Sequence, residues 1–255
     1  MSNQRKRILA AILIFDVVTG LLLLFLLGNK LKGIAEYGGL GGKTVRTVSS
    51  VQIQNAKVEN AEENPAAQEE EVRKIALTFD DGPHPYYTEQ LLDGLKERGV
   101  VVTFFVTGEH AALHPDVIKR MHEEGHLIGN HTYSHMQLTN GNQEEFKEEL
   151  IATSEVIEEI IDEEVIYVRP PYGTWDKSFE TELNMIPVLW TIDPLDWCSD
   201  DVACVVDKVT KKVGENDIIL MHDYYESTIT AALKIVDDLK EEGYTFVTVE
   251  EILFD

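Results

Sequence analysis

From Val72 onward the chain alternates short apolar runs with longer amphipathic ones, and this alternation restricts the fold more than any other feature. The apolar runs are 75–79 (IALTF), 100–106 (VVVTFFV), 127–130 (LIGN), 165–169 (VIYVR), 186–190 (IPVLW), 218–222 (IILMH) and 245–249 (TFVTV). Each is strand-sized, and most are rich in the β-branched and aromatic residues that fit a pleated surface. Between them, "TEQLLDGLKERG" and "HPDVIKRMHEEG" each end in a glycine stop, as helices before tight turns do. "NQEEFKEELIATSEVIEEII" sets Phe146, Leu150, Ser154, Ile157 and Ile161 near one helical face, and "TITAALKIVDDLKEEG" follows the same period. Strands alternating with helices form βα units and a parallel sheet. Seven such units predict an α/β fold with a barrel or barrel-like closure.

The length of 255 residues suits one domain of about 150–200 residues plus appendages. A domain of that size buries a full core without disulfides or structural metals. The appendages precede Val72. Arg5, Lys6 and Arg7 stand before "ILAAILIFDVVTGLLLLFLLG", and about 20 apolar residues suffice to cross a bilayer. The run is long and "GNKLKG" follows it without an A-x-A site, so the expectation is a retained transmembrane anchor at 8–27, with a cleaved signal peptide as the alternative. The basic cluster places residues 1–7 in the cytoplasm and the C-terminal part outside, although Lys30 and Lys32 weaken the asymmetry. Asp16 inside the span has no ionisable partner there, which favours snorkelling or a helix–helix contact. Residues 28–71 read as a flexible extracellular linker, glycine-rich at first and then polar and acidic over 55–71. The formal net charge of −24 argues against nucleic acid as a partner. Cys198 and Cys204 are open to two readings, a disulfide or two free buried thiols.

The unusual polar residues share one address. Asp80-Asp81 follows the first strand, "NHTYSH" (130–135) the third and "RPPYG" (169–173) the fourth. "TIDPLDW" (191–197) follows the fifth, and "HD" (222–223) closes the sixth. In α/β barrels the C-terminal strand ends share a face, and that face carries the active site. Taken alone, Asp81-Gly82-Pro83 is good turn chemistry and His131-x-x-x-His135 is two surface histidines. Five strand ends of the same kind favour a single site.

At that site, one helical turn would bring His131 and His135 to the same side. With the carboxylate of Asp81 they make a three-ligand zinc set that leaves a position for water. Asp80 is then free to act as general base, provided the strand opens into its turn so that both acids face inward. His222 is the remaining histidine at a strand end and suits a general acid, with Asp196 or Asp193 to orient it. Arg169 can pair with Asp80 and hold it ionised. Two prolines precede Tyr172 and leave its backbone N–H rigidly placed, suitable as an oxyanion donor. Tyr172 and Trp197 wall a sugar-sized groove or belong to the aromatic core. The other histidines, His84, His110, His114, His122 and His126, read as surface or structural.

The motifs "TFDDGP", "HTYSH", "RPPYG", "DPLDW" and "LMH" occur in an order and spacing that resembles the polysaccharide deacetylase family, also called the NodB-homology or carbohydrate esterase family 4 domain. The resemblance covers about residues 72–255, which would make that segment the catalytic domain. It implies a distorted (β/α) barrel of about seven parallel strands that removes N-acetyl or O-acetyl groups from carbohydrate polymers with a divalent metal, usually Zn2+. It further implies Asp80 as base, with Asp81, His131 and His135 as metal ligands. His222 is then the acid, Asp196 its partner, Arg169 the tether of Asp80 and Tyr172 the oxyanion donor. With the anchor, these implications point to a single-pass protein of the bacterial cell surface acting on N-acetylglucosamine residues of peptidoglycan. An O-acetyl xylan esterase and an exopolysaccharide or chitin-type deacetylase are alternatives within the class. A wall-glycan-binding protein without turnover is the alternative outside it, and the intact motif set weighs against it.

Overall fold

The computed structural model describes residues 72–254. The expected anchor at 8–27 and the linker at 28–71 lie outside them, and among the described residues no helix is long and apolar enough to cross a membrane. Seven parallel strands form one curled sheet. They are β1 (Arg73–Asp80), β2 (Thr103–Val106), β3 (Leu127–Asn130), β4 (Tyr167–Val168), β5 (Ile186–Pro187), β6 (Ile218–His222) and β7 (Tyr244–Phe246). Their order is β5-β4-β3-β2-β1-β6, with β7 pairing the first residues of β1. The curl nearly closes: just beyond β5, Ile192 bridges Ile219 of β6 in parallel fashion. The result is a curled half-barrel of (β/α) type, looser than a regular barrel because β4 and β5 are only two residues long.

Strand boundaries differ from the apolar runs where backbone hydrogen bonding stops before hydrophobicity does. The run 100–106 pairs only from Thr103, and the runs at 165–169 and 186–190 pair over two residues each. The last run ends at Phe246, because Val249 already opens a helix. Six consecutive residues of β1, Ile75–Asp80, are buried, as expected of a strand covered on both faces. Its side chains alternate in destination. Ile75, Leu77 and Phe79 pack in the large cluster beneath the helices, whereas Ala76 joins Phe105, Tyr167 and Val188 in a separate cluster. Thr78 and Asp80 share the parity of Ala76, which is what carries polar groups to the inner side of the curl.

The helices follow their predicted punctuation. Helix α1 (Tyr87–Arg98) ends at Gly99, whose φ of 60° lets its N–H reach the carbonyls of Leu95 and Lys96. Helices α2 (Gly108–Leu113) and α3 (Pro115–Glu123) follow β2, the latter with proline in its first turn. Helix α4 (Gln143–Ile161) buries Phe146, Leu150, Thr153, Ser154 and Ile157, the predicted face shifted slightly away from Ile161. Helices α5 (Ser178–Glu182), α6 (Val202–Thr210), α7 (Glu226–Glu241) and α8 (Val249–Phe254) complete the layer. Gly129 in β3 sits where a Cβ would meet the Phe105 ring at 2.6 Å, so β2 and β3 pack as closely as they do only because that side chain is absent.

Candidate active site

The inner side of the curl holds a fully buried cation, Arg169, just beyond β4. Its Nη1 donates to Asp80 Oδ1 at 2.8 Å and to Thr78 Oγ1 at 2.6 Å. Nε and Nη2 donate to the carbonyls of Val188 and Leu189 at 3.1 and 3.2 Å. The guanidinium also lies 4.2 Å above the Phe105 ring. Burial pulls the Arg169 pKa below its ordinary value, and the neighbouring Asp80 opposes that pull. The pair therefore fixes Asp80 through one oxygen and leaves Oδ2 turned toward His131, whose Nε2 is 3.8 Å away.

Asp81 departs from the strand with a φ of 73°, and that left-handed turn lets both acids face inward. The turn is held from two sides. His110 Nδ1 lies 2.7 Å from the Asp81 carbonyl oxygen. A side chain at Gly82 would collide with the carboxylate of Asp223, which is itself buried and hydrogen-bonded by Thr88. Burial pushes the Asp223 carboxyl up to about 7.

The expected helical turn across His131–His135 does not form. The segment is a loop, with Thr132 and His135 at φ of 61° and 59°. Hydrogen bonds explain the choice: the Thr132 carbonyl, which a helical turn would offer to Met136, accepts from the Gly108 N–H, and the Met136 N–H is taken by the Thr132 hydroxyl. The loop nevertheless brings the two rings to a centroid separation of 5.0 Å. Asp81 Oδ1 lies 3.4 Å from Nε2 of each histidine.

Three features show that this trio fits a divalent cation. The ligand atoms all lie within 4.8 Å of one another. Asp81 Oδ1 is buried with no hydrogen-bond partner, a position that costs free energy unless something charged occupies it. His131 Nδ1 lies 2.6 Å from the Arg169 carbonyl oxygen, which fixes the proton on Nδ1 and directs the Nε2 lone pair at the site. Electrostatics agree. Burial would raise the Asp81 pKa, but the two histidines bring it down to about 2. His135 is shifted below its ordinary value by burial, which keeps the ring neutral and able to ligate.

His222, at the end of β6, is oriented by Asp196 rather than Asp193. Its Nδ1 lies 3.0 Å from Asp196 Oδ1 and its backbone N–H donates to Oδ2 at 2.9 Å. Thr228 donates a further bond to Oδ2. Burial would lower the His222 pKa, yet the buried Asp196 carboxylate raises it to about 9. Asp193 instead accepts from the Leu195 N–H.

One cavity of about 420 Å³ gathers these groups. Asp80, Asp81, His131, His135 and His222 line it together with Tyr172, Trp190, Trp197 and Tyr225. Tyr172, at φ of 61°, is exposed and meets the His135 ring edge-on at 5.1 Å. Trp197 is also exposed, so both are wall rather than core. The cysteines are free and exposed, against the expectation of a disulfide or of burial. Sequence reasoning missed Thr78, His110, Trp190, Tyr225 and Asp223. His110 was within reach, because "VTGEH" sits at the C-terminal end of β2 and obeys the same strand-end rule.

Comparison with known proteins gives the same picture. The family model described as polysaccharide deacetylase matches residues 67–188. The peptidoglycan-N-acetylglucosamine deacetylase of Bacillus cereus is 38% identical over 187 residues, covering 70% of this chain and 87% of that protein. The chain belongs to the polysaccharide deacetylase family. Another member, the peptidoglycan-N-acetylmuramic acid deacetylase PdaC of Bacillus subtilis, is 39% identical over 178 residues, or 70% of this chain, which spans 38% of that relative's length. The solved structure of the Bacillus subtilis peptidoglycan deacetylase PdaC matches with a TM-score of 0.69 at 38% identity, covering 72% of this chain and 91% of that one. The curled half-barrel described above is thus the fold of solved polysaccharide deacetylases.

The His222–Asp196 pair predicts a pH signature in stability. The folded-state pKa of about 9 stands above the ordinary histidine value, so the pair stabilises fully below about pH 6.5 and loses that contribution as the pH rises through about 9. In chelated protein, the stability lost on Asp196→Asn, read from urea midpoints, should therefore be largest at the acid end and shrink toward pH 9. A difference that stays constant from about pH 6 to 10 would contradict the assignment.

Proposed function

We propose that this protein is a metal-dependent hydrolase that removes N-acetyl groups from N-acetylglucosamine residues of a cell-wall or extracellular polysaccharide, with peptidoglycan as its substrate. The observation that carries the reading is the separation of duties within one cavity. Asp81, His131 and His135 form a ligand set, while Asp80 and His222 line the same cavity and are engaged on their far sides by Arg169 and Asp196.

Asp81, His131 and His135 would hold a divalent cation, zinc by the chemistry of the set, which would supply Lewis acidity to polarise the acetyl carbonyl and acidify water. Asp80 Oδ2 takes the proton of the attacking water, its other oxygen being held by Arg169. His222 has Nδ1 engaged by Asp196 and is protonated at neutral pH, so its other nitrogen can give a proton to the departing amine. The Tyr172 backbone N–H is the candidate donor to the developing oxyanion. Trp190, Trp197 and Tyr172 provide the apolar walls against which a sugar ring rests. Relatives named for peptidoglycan support the polymer, and one named for N-acetylglucosamine supports the sugar, whereas PdaC is named for the muramic residue.

In the same reading residues 8–27 are a membrane anchor that holds residues 72–255 outside a bacterial cell, supported by the apolar span and its basic flank. Protease added to intact cells should then digest residues 72–255, and protection of that segment would overturn the orientation.

Acetate release from N-acetylglucosamine oligomers and from peptidoglycan tests the chemistry. It should vanish on chelation, return with zinc, and fall at least about 100-fold in Asp80→Asn, the usual scale of a lost general base. No release from either substrate by the zinc-bound protein would sink the assignment.

A further inference from the structure

The residues that fit a cation leave two strands that are not neighbours. Asp81 follows β1, and His131 and His135 follow β3, while β2 lies between those strands in the sheet. The segment that leaves β2, residues 106–110, therefore runs between the two ligand-bearing loops. It is hydrogen-bonded to both.

On the histidine side, the Val106 carbonyl accepts from the His131 N–H at 2.9 Å. The N–H groups of Gly108 and Glu109 donate to the carbonyls of Thr132 and Tyr133, each at 3.0 Å. First-turn amides have no partner within their own helix, which leaves these two of α2 free to reach the loop. On the Asp81 side, the Thr107 N–H donates to the Gly82 carbonyl at 3.1 Å. His110 Nδ1 lies 2.7 Å from the Asp81 carbonyl oxygen. A carbonyl oxygen can only accept, so Nδ1 carries the proton. Thr107 Oγ1 lies 3.0 Å from the same nitrogen, and the Tyr224 ring flanks the imidazole at a centroid distance of 5.5 Å. The bonds from Val106, Thr107, Gly108 and Glu109 are made by backbone, whereas that from His110 is made by a side chain.

We propose that His110 is a positioning residue that sets the affinity of the site for its cation, an inference that rests on the reading of Asp81, His131 and His135 as ligands. Its Nδ1–H holds the Asp81 carbonyl, and with it a left-handed turn that residues other than glycine avoid. Because the same segment grips the histidine loop, the bond also fixes the span between Asp81 and the two imidazoles. Released from His110, the turn can relax toward ordinary backbone and carry Asp81 Oδ1 away from the Nε2 atoms it now faces at 3.4 Å. His110 does not line the cavity that holds Asp80 and His222. Its effect is on holding the cation, and it reaches the chemistry only through Asp81.

The test is the zinc affinity of the full-length protein, stripped by chelation and then titrated with zinc against a chromophoric chelator. His110→Phe keeps a planar ring and removes the donor, and His110→Ala removes both. His110→Asn sets an amide N–H where Nδ1 stands. His110 is half-buried, so these replacements leave the core intact. Uptake by Asp81→Ala gives the background from other groups. The Phe and Ala variants should bind zinc about 10- to 100-fold more weakly than wild type, the usual scale for losing a partner that orients a ligand, and the Asn variant should stay within about threefold. Should the Phe variant fail to fold, the comparison of Ala with Asn carries the same test. Wild-type affinity in the variants without a donor would overturn the proposal. So would an Asn variant as weak as Ala, because the loss would then follow the missing ring and not the missing donor. A wild type that takes up no more zinc than Asp81→Ala is a distinct result, because it removes the cation reading and this proposal with it.

Discussion

Arg169 carries its charge where water does not reach, and the site is arranged around that fact. Moving an ion out of water costs several kcal/mol unless good partners replace the lost hydration. Here Asp80, Thr78 and the carbonyls of Val188 and Leu189 are those partners, with the Phe105 face beneath. They come from β1 and from the segment just past β5, while Arg169 itself follows β4. Strands distant in the sheet order thus meet at one guanidinium, so the curl of the sheet and the aim of Asp80 are the same structural event. The Arg169 carbonyl adds a further link by fixing the His131 ring.

This arrangement lets two adjacent carboxylates do different things. Asp80 ends the strand with one oxygen committed to Arg169, and Asp81 turns out of the strand with Oδ1 left unpartnered between two imidazoles. Like charges so close repel one another. The buried guanidinium on one side and the two histidines on the other counter that repulsion. His222 repeats the principle with the signs reversed, since the Asp196 carboxylate holds it protonated despite burial.

The βα alternation, the strand ends and the identity of the main polar groups were legible because period and chemistry are local properties. Arg169 with Asp80 and His222 with Asp196 were legible for the same reason, as opposite charges that the strand-end rule gathers on one face. What escaped was set by long-range backbone bonding. The His131–His135 spacing suggests a helical turn, but the distant Gly108 N–H captures the Thr132 carbonyl that such a turn would need. Thr78 could not be singled out, because its role depends on the parity of β1 and on a residue 91 positions away. The exposed cysteines were within reach, since Ser199, Asp200 and Asp201 stand between them and such residues favour the surface.

The central claim is that Asp80 stays with Arg169 while Asp81 serves the cation, and a crystal structure of the zinc-loaded protein with anomalous data at the zinc edge tests it directly. The account predicts zinc ligated by Asp81, His131 and His135, with Asp80 Oδ1 still bonded to Arg169 and not ligating the ion. Zinc coordinated by Asp80, or an Arg169–Asp80 pair broken on loading, would contradict it.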